Sequence, residues 1–404
     1  MIDLHKYPVL KYPLFGSLYF SQGIIYALAI LIIPIYFIDK NISMELTTAI
    51  IGILYFPWIA KFIFGGIADY LQRIGRKKIA LFGGTIGAIS FILLSIIDPS
   101  DYLILFVFVA FIASIGIVFL DVAADAWAID ISKEKERGKV NAAMFGGLFI
   151  GAAFTTSVIA GIAQLYGYGT AFVISGIFVF FIMIFPFFIR ENITMQKHPK
   201  LGKTMLAEFR KRPTQIIALF GLVLTISFGL LSIVVPLYVK TRFDLPIGEI
   251  GLIVTGAPIA TIVGCCVGGF ISDKLSRKFA LYIFISFNIL FAATLAFVDS
   301  WELVAIVYAI IGFLHGGHIA AFGAISMDVT NPKIGATQYS ILMGFGNAGE
   351  MSGTVISGSL IALAGFARLF LFSAWIYGPA LLILYVFRLK KHNNKKHSGE
   401  MINE

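Results

Sequence analysis

Lys61, Asp121, Asp125, Glu350, His315 and His318 stand inside long apolar stretches of a 404-residue chain. An ionisable group buried in a membrane costs about 2.5–3.5 kcal/mol on insertion scales. Groups kept at that cost are candidates for chemistry: holding and releasing a proton, or pairing with a charged solute. Asp121 and Asp125 are four residues apart and share a helix face. Two neighbouring carboxylates in low dielectric resist joint ionisation, which suits a proton carrier. Lys61 lies at a depth similar to Asp121 and is expected to pair with it; a static bridge holding two helices together is the other reading. Asp125 can instead pair with Arg73 or Arg76, and Asp130 reads as structural. His315 and His318 are three apart on one face, and imidazole exchanges protons near neutral pH. A buried neutral imidazole is the plain alternative for either. Glu350 has no local base. It reads as a coupling site, a partner for a solute cation, or a protonated Glu hydrogen-bonded to a neighbouring helix. Tyr19, Gln22, Tyr26 and Gln215 offer neutral hydrogen bonds to a substrate, or simply pack. No third ligand accompanies the two histidines at a natural spacing, so no metal site is expected. No nucleophilic triad, metal cluster or phosphate loop appears, so an enzyme is not expected, nor any cofactor beyond a proton gradient.

The elements that must position these residues follow from composition. The chain is 59% hydrophobic and 13% charged, with a mean hydropathy of +0.91. A soluble domain carries roughly 25% charged residues, so this surface must face lipid. A bilayer core of about 30 Å takes about 20 apolar residues in helix. Twelve such spans are expected near 14–37, 47–69, 79–97, 103–128, 140–163, 170–188, 214–239, 248–271, 279–297, 302–326, 338–363 and 369–387. The fold class is therefore all-α, a polytopic membrane protein. The first span exceeds a signal-peptide core and is expected to stay in the mature protein. Adjacent Cys265 and Cys266 lie in an apolar run and read as small packing residues, not as a disulfide framework.

Basic residues set the expected orientation. With the N-terminus inside, the inner segments hold 26 Lys and Arg and the outer loops four, Lys40, Lys240, Arg242 and Arg368. Both termini are then cytoplasmic, in a plasma or inner membrane. The net charge of +9 is explained by anionic lipid headgroups, without nucleic acid as a partner.

The chain repeats itself. A six-helix unit, 1–188, is followed by a basic linker, 189–213, a second six-helix unit, 214–390, and a tail, 391–404. Gly65 to Asp69 ends the second span as Gly269 to Asp273 ends the eighth, each with Arg four residues on, Arg73 and Arg277. Arg137-Gly138 and Ile334-Gly335 share an offset of 197 residues with Gly161 and Gly358. By that offset His318 is the repeat partner of Asp121. Internal duplication is the build of many transporters, with the site at the midplane between repeats.

Gly65, Asp69, Arg73, Gly75, Arg76 and Lys77 resemble the major facilitator signature G-x-x-x-D-[RK]-x-G-R-[RK]. Tyr70 stands where a base is usual, two extra residues precede Gly75, and the second copy, Gly269 to Lys278 with Asp273 and Arg277, is shortened. A narrower resemblance is to muropeptide permeases of the AmpG type and acetyl-coenzyme A transporters. It rests on Pro57 to Phe62, on Asp121 to Trp127 with Asp130 and Glu136-Arg137-Gly138, on Leu314 to His318, and on Ala336 to Tyr339. Leu120, His315 and His318 depart from that branch's usual residues.

The resemblance implies two pseudo-symmetric six-helix halves, alternating access, and helices 4 and 10 lining a central cavity that Asp121 and His318 face. Asp69 and Asp273 are expected to latch cytoplasmic helix ends. The expected function is proton-coupled symport of a small polar solute, muropeptide-like or another organic compound, by a monomer whose partners are solute, proton and bilayer. Proton-antiport export of amphipathic compounds and a non-transporting sensor on the same fold are the alternatives.

Overall fold

The computed structural model describes residues 2–4, 6–132, 134–191, 201–331 and 334–387. The tail, 391–404, lies outside the described residues. Eleven helices among them are long and apolar enough to cross a membrane. They are α1 (Pro8–Asp39), α2 (Met44–Ala68), α3 (Arg76–Leu94), α4 (Pro99–Ile131), α5 (Lys139–Tyr166), α6 (Tyr168–Phe188), α7 (Arg212–Phe243), α8 (Ile247–Lys274), α9 (Arg277–Phe297), α10 (Trp301–Asp328) and a last run, Thr337–Val386. That run has 50 residues, about 75 Å of helix at 1.5 Å per residue, and a bilayer core is about 30 Å thick. Gly365, at φ +78° and ψ 170°, breaks it where only glycine is unstrained. The two arms, 335–364 and 366–386, are α11 and α12, and the expected twelve crossings are complete.

Turn chemistry punctuates the spans. Ser43, Asp98, Ser276 and Ser300 accept hydrogen bonds from the backbone N–H groups of Leu46, Ser100, Phe279 and Leu303, satisfying first-turn donors of α2, α4, α9 and α10. Two features give the expected linker structure of its own. Ile2–Asp3 pairs in parallel with Ile189–Arg190, and a short helix, Leu201–Phe209, precedes α7.

Within the first half α1 packs on α5, and α3 on α4 and α6; within the second α7 packs on α11 and α8 on α10. The halves meet where α2 lies on α11 and α5 on α8. Four polar contacts between them sit at the sparsely charged end. Lys240 pairs with Asp39 at 3.0 Å, Thr48 Oγ1 accepts from Gly358 N at 3.2 Å, Gln164 Oε1 accepts from Gly248 N at 2.9 Å, and Thr156 meets Thr255 at 2.7 Å.

The hydrophobic core has the same asymmetry. One cluster runs from the first half into the parts of α7, α8, α9, α10 and α12 nearest the sparsely charged end. Towards the basic end the second half keeps a separate cluster around Phe220, Phe284, Phe322 and Tyr377, and the first half keeps one around Ala68, Ile79 and Val122. The halves therefore share a core at one end and have cores of their own at the other.

Candidate functional site

The local sequence around Lys61 explains its placement. Pro57 has no N–H and its ring crowds the preceding turn, so a helix bends or breaks near it. The first part of α2 ends at Ile59, Ala60 turns at φ −77° and ψ 9°, and Lys61 starts the next segment. The side chain reaches across to α4 and pairs with Asp121 at 2.5 Å and Asp125 at 2.9 Å. Asp121 is buried, with 3% of its side chain exposed, against 22% for Lys61 and 30% for Asp125. One cation is thus shared by two carboxylates one turn apart. The Tyr19 hydroxyl of α1 donates to Asp125. Gln22, one turn further along α1, stands against Asp121, and its buried Nε2 has no partner.

Two turns along α1 from Tyr19 is Tyr26, whose ring meets Tyr55 of α2 edge-on at 6.3 Å and 83°. Trp58 follows at 6.1 Å from Tyr55. Glu350 of α11 lies on the Tyr26 side of that edge-on pair, with the Tyr26 hydroxyl within hydrogen-bond reach of its carboxylate and Tyr55 and Tyr308 of α10 nearby. Helix α11 can present Glu350 there because α7 supplies glycine at the contact. A Cβ on Gly229 would sit 1.9 Å from the Glu350 carbonyl oxygen. Glu350 Oε1 is buried without a hydrogen-bond partner, and so is the Tyr55 hydroxyl.

Other expected site residues lie elsewhere. Gln215 is exposed near the start of α7. It is 14 residues from Gly229, about 21 Å along the helix, and so far from Glu350. The expectation that His318 faces a central cavity is corrected. His318 is 1% exposed, lies within the second half, takes a 3.2 Å hydrogen bond between its Nδ1 and Asn288 Nδ2, and stands 6.1 Å from the Tyr377 ring. The 197-residue offset equates positions in sequence, but α10 turns this position towards α9 and α12. His315 stacks on Phe228 at 3.5 Å and 9°. Among the described residues no cluster of three or more His, Cys, Asp or Glu could hold a metal.

The motif residues knit each half separately. Gly75 stands at φ +98° and starts α3. The Glu191 carboxylate accepts from the N–H groups of Arg76 at 2.6 Å and Lys77 at 3.1 Å. Arg76 also bonds the Ala68 carbonyl and lies 3.6 Å from Asp130, and Lys77 bonds the Ile189 carbonyl. Arg73 is exposed in the turn Leu71–Ile74. Gly65 and Gly269 have open space where a side chain would be. Asp69 sits near the end of the segment Lys61–Tyr70, and its side chain lies outside the described part of the structure. Asp273 is exposed and pairs with Arg277 one turn on, and Arg277 reaches Asp328 at 3.3 Å. The Asp273 contact is thus local, and Arg277 makes the tie to α10.

A profile of the Major Facilitator Superfamily matches residues 15–299 and 217–402. The chain belongs to the major facilitator superfamily. This facilitator is 25% identical over 348 residues to a putative transporter, AmpG 4, of Rickettsia conorii, covering 80% of this chain and 82% of that one. It is 23% identical over 334 residues to the multidrug resistance protein MdtG of Salmonella typhi, covering 80% of each. Its fold matches a crystal structure of the nucleoside transporter NupG with a TM-score of 0.74 at 14% identity, covering 94% of this chain and 100% of that one. The facilitator is a multi-pass membrane transporter.

Several groups that frame the site escaped the sequence reading: Tyr55, Trp58 and Tyr308 near Glu350, and Asn288 beside His318. Tyr55 and Trp58 flank Pro57, six and three residues before Lys61, and that spacing was the available signal. Lys11, counted only as a basic residue, is buried and pairs with Glu136 at 2.9 Å.

Proposed function

We propose that this facilitator is a proton-coupled symporter of a small polar organic solute. It works as a monomer in a plasma or inner membrane with both termini cytoplasmic. The observation that carries the proposal is Lys61 held between Asp121 and Asp125 inside the membrane. A single ammonium balances one carboxylate. With Asp125 30% exposed and able to keep its charge, the buried Asp121 is the one left to take a proton or to draw a counter-charge when the ammonium turns to its neighbour, because a bare carboxylate away from water is too costly to keep. Proton gain and loss there changes the net charge between α1, α2 and α4, and so biases how those helices sit against the second half. A bound proton can shift the equilibrium between facings only by its differential affinity for them, and a site at the junction of α1, α2 and α4 meets that condition.

The test is made in proteoliposomes. Impose an inward pH gradient without sodium and follow solute accumulation from a mixed panel of polar metabolites. Then repeat with Asp121→Asn, measuring gradient-driven accumulation and equal-pH exchange separately. Accumulation should fall at least tenfold while exchange persists, since removing a coupling group uncouples the solute from the gradient. A parent that needs sodium, or an Asp121→Asn protein that accumulates normally, would overturn the reading.

A further inference from the structure

We infer that the site around Glu350 takes a solute carrying a positive charge, an organic ammonium, and excludes solutes whose only charge is a carboxylate or phosphate. The inference deepens the transport reading above and rests on it for the word substrate, though not for binding.

Charge is the first argument. Among the described residues, Lys61 is the one Lys or Arg that the spans carry away from their ends; the two imidazoles of α10 are packed inside the second half, His315 against Phe228 and His318 against Asn288. Lys61 is already engaged by Asp121 and Asp125. An anionic solute arriving between the halves would find no free cation to neutralise it. Glu350, by contrast, has no basic neighbour among the groups that act on it: the Tyr26 hydroxyl is within hydrogen-bond reach of the carboxylate but brings no positive charge, and the buried Oε1 has no hydrogen-bond partner. A carboxylate so placed is stabilised by a partner that brings positive charge.

The surroundings are the second argument. Tyr26, Tyr55 and Tyr308 lie near the carboxylate, and Trp58 packs against Tyr55. Aromatic faces attract ammonium groups within about 6 Å of a ring centroid, and Trp and Tyr do so best. Tyr55 is 9% exposed and its hydroxyl is unpartnered, so an ammonium N–H or a solute hydroxyl has an acceptor there. Four helices, α1, α2, α10 and α11, contribute, two from each half. A solute held there touches both halves, and bridging both is what a substrate must do to sense their relative position. The Lys61 cluster lies about two helical turns away along α1, roughly 10 Å. Proton and cation therefore have separate places and can travel together.

The experiment measures binding to the purified full-length protein by equilibrium dialysis near neutral pH. The probes share one shape and differ in charge: choline, its neutral carbon isostere 3,3-dimethylbutan-1-ol, and 3,3-dimethylbutanoate. Benzyltrimethylammonium and 3-phenylpropanoate form a larger, aromatic pair. At least one cation should bind about tenfold or more tightly than its neutral or anionic counterpart, the scale expected of a desolvated charge with aromatic neighbours. Glu350→Gln should lose that preference, and Glu350→Asp should recover part of it. An anion binding as well as its matching cation, or a cation preference that survives in folded Glu350→Gln, would overturn the inference. Failure to bind either cation would do the same and leave Glu350 to hold a proton alone. Cation binding without gradient-driven accumulation in proteoliposomes would sink the symport reading and leave this one standing.

Discussion

Lys61 is worth more to Asp121 and Asp125 than either is to it, because each carboxylate loses its one basic partner when the ammonium goes. Removing one member of a buried ion pair costs roughly 3–5 kcal/mol, since the charge left behind is uncompensated. The partial exposure of Asp125 puts this cluster near the lower end. Lys61→Met should therefore lower the midpoint of thermal unfolding in detergent by several degrees. Lys61→Met combined with Asp121→Asn and Asp125→Asn should recover most of that loss, because apolar or neutral replacements of a whole buried charge cluster are often close to neutral. If the triple variant is less stable than the single one, the cost lies in packing and not in stranded charge. The pairing of Lys61 with Asp121 was legible in the sequence because both sit at one depth in spans whose ends the hydropathy marks. The share taken by Asp125 was not, since it depends on the break at Ala60 that aims the side chain.

At the scale of elements, the start of α3 shows what a motif can hide. The sequence marks Gly75, Arg76 and Lys77 as part of a signature motif, and the structure shows a helix cap whose acceptor, Glu191, comes from 115 residues away. No local pattern announces that partner; it exists because Ile189–Arg190 pairs with Ile2–Asp3 and brings the linker to α3. Gly75→Ala should cost about 1–3 kcal/mol, the price of a non-glycine residue in such a backbone conformation. The new Cβ would also fall 2.4 Å from Glu191 Oε2 and disturb the cap. A Gly75→Ala protein with an unchanged unfolding midpoint would show that the turn relaxes freely. Glu191 itself gives a pH test. Burial raises its pKa above the usual carboxylate value, against the backbone N–H groups of Lys77 and Arg76, which lower it. A carboxyl whose folded pKa exceeds its unfolded one favours the fold when protonated. Its contribution should therefore decline as pH rises from the ordinary Glu value, about 4.3, through the raised one. The difference in unfolding midpoint between parent and Glu191→Gln, followed across that window, should shrink or reverse with rising pH; a constant difference would contradict it. The spans themselves were legible throughout, because about 20 apolar residues leave a chain little else to form. The direction in which α10 turns His318 was not, since rotation about a helix axis is set by neighbours such as Asn288 and Tyr377.

At the scale of the whole molecule, the two halves share a core and polar contacts at the sparsely charged end and hold separate cores at the basic end. The proposed symport cycle requires the reverse arrangement to exist as well, so in that cycle the contacts that close this end break. Thr156 and Thr255 are the place to test this. Their hydroxyls lie 2.7 Å apart across α5 and α8, so the Cβ atoms are near the roughly 3.5–4.5 Å separation that a disulfide spans. Thr156 lies in a π-helical turn, Thr155–Ile159, a form that recurs at functional sites. The native Cys265 and Cys266 are first replaced by Ala, so that Thr156→Cys and Thr255→Cys supply the only thiols. Oxidation should then staple the halves together at this end. Transport should stop while ligand still binds from the basic side, and reduction should restore it. Each single-cysteine protein should transport normally under both conditions. A stapled protein that still transports at the parent rate would mean that this end never opens, and the alternating-access account would fall with it.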